Sequence, residues 1–137
     1  MQREDFFKAE LVQELRYVSS SMRKEPALDK KIFYFSGAYG ITSRTFRYSF
    51  SKDVLLADSV CMQVYNLLMA RFAQVGGIDK DGQLAKKLDE LSDQLNSLAD
   101  NFESGKNILE SIENILTIGY STTGNGIYLE EKGELKL

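Results

Sequence analysis

Leu84-Ala85-Lys86-Lys87-Leu88-Asp89-Glu90-Leu91-Ser92-Asp93-Gln94-Leu95-Asn96-Ser97-Leu98-Ala99-Asp100-Asn101-Phe102 places a large apolar residue at alternating steps of four and three. That spacing is one stripe along an α-helix, with the charged residues left to the other faces. Leu109, Ile112 and Leu116 resume the same phase, and Gly105 alone interrupts it. Asp79 or Asp81 can cap the start. As a single helix the segment would span about 35 residues and about 50 Å at 1.5 Å per residue. Two architectures follow. Either the long helix overhangs its bundle and pairs with a partner chain, or the step Ser104-Gly105 folds it back. On the first, Leu84, Leu88, Leu91, Leu95, Leu98 and Phe102 are the candidate oligomer interface.

Three more helices precede this segment. Phe7, Leu11, Leu15, Val18 and Met22 form a stripe over Arg3 to Met22, closed by Pro26, which pushes Glu25 out of helical geometry. Leu28, Ile32, Phe35, Tyr39 and Phe46 fall on one side of a second helix over Ala27 to Tyr48. Its middle carries Gly37 and Gly40, each costing about 1 kcal/mol against alanine, so either a neighbouring helix approaches closely or a ligand pocket opens there. A third helix is expected from Ser51 to Val75, ended by Gly76-Gly77. Its stripe is Val54, Ala57, Cys61, Val64, Leu68 and Phe72, while Val60, Met62, Leu67 and Met69 occupy other faces. A helix so apolar all round is the central one, or it faces a second subunit.

From Ile118 the character changes, with four glycines, threonines and alternating patterns around Gly124-Asn125-Gly126. This reads as a short β-hairpin or meander that must pack on the bundle or add to a partner's sheet. The expected fold is therefore mainly α: a four-helix bundle-like domain over 1–117 with a long heptad-patterned fourth helix, and a C-terminal hairpin over 118–137.

Composition removes whole classes of chemistry. Among 137 residues there is no His and one Cys. Within this sequence a disulfide, a Cys/His zinc site and a Ser-His-Asp or Cys-His pair are excluded. Cys61 lies on an apolar stripe and reads as a small core residue. Acids stand among Met1 to Lys8 where a secretory leader needs bases, and no apolar run exceeds four residues. A cytoplasmic protein without a membrane partner is expected. The net charge of −3 is uneven: residues 1–52 carry +4 and residues 53–137 carry −7. Such a split points to internal complementarity or to head-to-tail contacts between copies.

Three functional readings remain. Residues 23–52 hold seven basic and two acidic side chains, with seven aromatics between Phe33 and Phe50. Arg44, Arg47, Tyr48, Lys52 and Tyr39 form a candidate surface for nucleic acid or an anionic nucleotide-like ligand, since guanidinium groups grip phosphates and aromatics stack on bases. The competing reading makes these aromatics core and the bases a solvated rim. Glu90 with Asp93, and Glu110 with Glu113, are carboxylate pairs three apart that could hold magnesium in a phosphohydrolase, although all four lie off the leucine stripe. The preferred reading is a non-enzymatic oligomeric helical interaction or adaptor protein, a homodimer above other assemblies, with a possible protein partner on its C-terminal strands. No catalytic residue, cofactor or metal ligand is assigned.

Overall fold

The structure, a computed structural model, describes residues 3–46, 52–78 and 82–122. They form five helices: α1 (Arg3–Lys24), α2 (Leu28–Phe46), α3 (Lys52–Gln74), α4 (Gln83–Ser104) and α5 (Leu109–Thr122).

The turn between α1 and α2 follows from Pro26. Proline has no N–H, so it cannot serve the Met22 carbonyl four residues back. The Lys31 ammonium reaches over from α2 and donates to that carbonyl instead, which is why this lysine is buried. Arg23 and Lys24 complement the negative end of α1, and Asp29 the positive end of α2. At the end of α3, Gly77 N–H donates to Phe72 O at 3.0 Å and Gly76 N–H to Ala73 O at 3.1 Å. Both glycines are left-handed, with φ of 62° and 77°. This is the paired-carbonyl stop that glycine makes easy.

The same device divides the long leucine segment. Gly105 is left-handed at φ 74°, and Lys106 N–H donates to Asn101 O at 2.9 Å. Two residues on, the Asn107 side chain accepts from Leu109 N–H at 2.9 Å and opens α5. The continuous fourth helix is thus corrected to two helices folded back on each other, the second of the two architectures weighed above. The start of the expected hairpin, 118–122, is also corrected, because α5 remains helical through Thr122. The rest of the expected hairpin, 123–137, lies outside the described residues.

The helices pack in a ring. α1 lies against α2 and α4, α3 against α2 and α5, and α4 against α5. α1 and α4 run antiparallel, since Arg16 meets Asp100 while Ser19 meets Ser92 and Arg23 meets Asp93. α4 and α5 are antiparallel too, tied by Asn101 to Ser111 at 3.2 Å and Asn114 to Gln94 at 3.3 Å. Short connections make α1–α2 and α2–α3 antiparallel neighbours as well. Five members cannot alternate around a closed ring, so one adjacent pair must be parallel. It is α3 and α5. Val64 faces Gly119 there, and Gln63 Nε2 donates to the Tyr120 hydroxyl at 2.9 Å.

The core fills the ring from all five helices, with Leu15, Ile32, Phe35, Val64, Leu68, Leu91 and Leu95 at 0% exposure. Cys61 is among these buried residues. At the α1–α4 seam, Ser19 and Ser92 are fully buried and satisfy each other reciprocally: each hydroxyl donates to the other residue's carbonyl, at 2.8 and 2.9 Å. Small side chains let the two backbones approach, and among the described residues no buried side-chain polar atom lacks a hydrogen-bond partner. Around this seam the charge asymmetry finds its partner. Arg16 meets Asp100 at 2.6 Å and Glu103 at 3.6 Å, and Arg23 meets Asp93. These pairs are exposed and worth about 0–1 kcal/mol each, so they set register more than stability.

Candidate functional site

The leucine stripe does not face outward. Leu84, Leu88, Leu91, Leu95 and Leu98 are 0–3% exposed and Phe102 is packed against the core, so within the chain the residues of the expected oligomer interface line an internal seam. Its sequence signal reported burial correctly but not the identity of the covering surface, which is the chain's own α1 and α5.

The basic-aromatic segment is divided. Tyr39 and Arg44 sit in α2 and Lys52 opens α3, but their side chains, like Arg47 and Tyr48 entirely, lie outside the described residues. Among the described part, Lys30 is exposed and Lys31 is occupied by the α1 terminus, 4.0 Å from Asp89. Tyr34 packs against the core, whereas Phe33 is 69% exposed. Gly37 lies against α1, where an added Cβ would stand 3.4 Å from Val18 Cγ2. That favours close helix packing over a pocket at this glycine. The carboxylate pairs are also separated: Asp93 holds Arg23, Glu90 stands 3.6 Å from Lys87, and Glu110 and Glu113 are exposed on α5. Among the described residues no group of three acids or cysteines is arranged to hold a metal ion, and no helix is long and apolar enough to cross a membrane.

Two surfaces remain. On the outside of α2 and α3, Phe33, Met62 and Met69 are 69%, 50% and 40% exposed. Met62 and Met69 are seven apart and so share a face of α3. Phe33 is exposed on the neighbouring α2, in its second turn. α3 is not the central helix its composition suggested. It is a ring member, packed on α2 and α5, and of its apolar residues off the stripe Met62 and Met69 meet solvent, while Val60 is buried and Leu67 half-buried.

The second surface is a cavity of about 190 Å³ where α3, α4 and α5 converge, lined by Arg71, Gln83, Leu84, Lys87, Ser121 and Thr122. The parallel α3–α5 pair brings both C-terminal ends here beside the start of α4. Arg71 is half-buried, and no carboxylate among the described residues meets its guanidinium. Among the described residues Lys87 is paired only with Glu90, three residues along its own helix. The Ser121 and Thr122 hydroxyls donate back to Ile118 O and Gly119 O at 2.7 and 2.6 Å. Sequence reading missed this cavity because its residues come from three helices and share no local spacing. The only sequence cue was a basic residue in the last turn of α3.

No protein-family model, curated protein or solved structure matches the chain.

Proposed function

We propose that the chain is a non-enzymatic helical interaction protein that assembles with a second copy of itself through the outer face of α2 and α3. The observation that carries this reading is the exposure of Phe33 together with Met62 and Met69 on adjacent helices. Scattered single apolar residues on a surface need no explanation, but a cluster spanning two helices does. An aromatic side chain buries about 150–250 Å² when covered, and methionine adapts to an imperfect surface. A twofold contact would set the Phe33 of each copy against the methionines of the other. Met62 and Met69, two of the apolar residues that the sequence places off the α3 stripe, support the same reading, since α2 and α5 leave them uncovered.

Sedimentation equilibrium at tens of micromolar tests it. The wild-type protein should sediment at about twice its 15.5 kDa chain mass. Phe33→Lys combined with Met69→Lys should sediment as the single chain with unchanged helicity. A wild-type monomer, or a dimer that survives the double substitution, would refute the proposal.

A further inference from the structure

We infer that the cavity between α3, α4 and α5 is a binding site for the phosphoryl group of a small phosphate or phosphomonoester. The inference is independent of self-association, because Arg71 lies two positions and so about 200° around α3 from Met69. The cavity holds about 190 Å³. At about 30 Å³ for each water in the liquid, that is space for about six waters. Pockets for organic ligands start at about 300 Å³. The space accepts an anionic head group, and because it opens to solvent any larger part of a ligand would lie outside it.

The charge pattern chooses the class of head group. Arg71 offers a planar fork of donors that has no acceptor among the described residues, while being half withdrawn from water. A guanidinium in that position binds two oxygens of one anion side by side. A carboxylate brings two oxygens and a single charge to this fork, and its remaining lone pairs would have to serve Lys87 as well. A phosphoryl group keeps a further oxygen for the ammonium across the cavity. Among the described residues Lys87 pairs with Glu90 alone, 3.6 Å away and 38% exposed, so its ammonium can turn toward the cavity. Gln83 and Leu84 line the cavity from the first turn of α4, the positive end of a helix, and that turn carries no acid. The two hydroxyls now donate to their own helix and can turn their protons toward the ligand instead.

Isothermal titration calorimetry on the full chain, at constant ionic strength set with chloride, tests the site. Inorganic phosphate and glycerol phosphate are the two probes. Wild-type protein should bind at least one of them saturably, and the tighter of the two identifies free phosphate or a phosphomonoester as the ligand. Arg71→Gln should weaken binding tenfold or more, and Lys87→Gln several-fold. Lys30→Gln, an exposed cation on α2, should leave it unchanged. Absence of saturable heat in the wild type, or an Arg71→Gln affinity equal to that of Lys30→Gln, would overturn the inference. Circular dichroism verifies that each variant is folded.

Discussion

Replacing Gly119 by alanine probes the close approach of α5 to α3. An alanine Cβ there would stand 2.7 Å from Val64 Cγ2, 3.0 Å from Cγ1 and 3.2 Å from Cβ. Carbon atoms in good contact sit at about 3.5–4.0 Å. Val64 cannot step aside: it is fully buried, and a β-branched side chain in a helix has essentially one rotamer. The two helices must therefore separate by about 1 Å, opening gaps on either side of the contact. Overpacking of this kind costs about 1–3 kcal/mol. Against it stands the gain of about 0.5–1 kcal/mol from removing glycine from a helix interior. The difference is a loss of about 1–2 kcal/mol, equivalent to about 4–8 °C in melting temperature for a chain of this size. Urea unfolding followed by far-UV circular dichroism should show a lower midpoint with an unchanged slope. Val64→Ala removes the obstructing methyl groups, so Gly119→Ala with Val64→Ala should be more stable than the sum of the single changes by about 1 kcal/mol. A Gly119→Ala protein as stable as the wild type, or strict additivity in the cycle, would refute the steric account of the α3–α5 contact.

Gly37→Ala should act in the opposite direction, because its Cβ would make ordinary contact with Val18 and helix propensity dominates. A gain of about 0.5–1 kcal/mol in thermal or urea unfolding is expected, and a loss would mean that α1 and α2 are closer than described. Lys31→Met keeps the buried stem but removes the donor to Met22 O, and should lower stability by about 1–2 kcal/mol. Pro26→Ala restores an N–H four residues after Met22, so it should recover part of that loss in the Lys31→Met background while helping less in the wild type. Equal effects in both backgrounds would disprove the substitution of the lysine for the missing N–H.

Much of the helix map was legible because its punctuation is chemical. Pro26 and Gly76-Gly77 end α1 and α3 near where their residue types demand, and the observed bounds fall within a few residues of those expected. The stripes were legible as well: Leu11, Leu15, Val18 and Met22 are buried as their spacing required. The leucine segment was harder for a physical reason. Its phase continues unbroken across Gly105, so periodicity alone favours one helix, and only the left-handed glycine with Asn107 two residues later encodes the break. Periodicity also cannot name the covering surface, which is why a seam inside the chain resembled an interface between chains. The α3–α4–α5 cavity was illegible altogether. Arg71 reads locally as a helix-terminal cation, and its neighbours Lys87 and Thr122 become neighbours only once the ring has closed.

The odd-numbered ring also orders the events that build it. Contacts within α1–α2–α3 and within α4–α5 join segments consecutive in the chain, and such local contacts form at little loop-closure cost. The α1–α4 and α3–α5 seams join residues far apart, 73 positions for Ser19 and Ser92. A three-helix unit and a helical hairpin can therefore assemble separately and dock in a single late step. Both seams close in that step, since the hairpin cannot meet α1 without also meeting α3. The Ser19–Ser92 bonds and the Gly119–Val64 contact should then govern how fast the native protein opens, with little influence on how fast it forms.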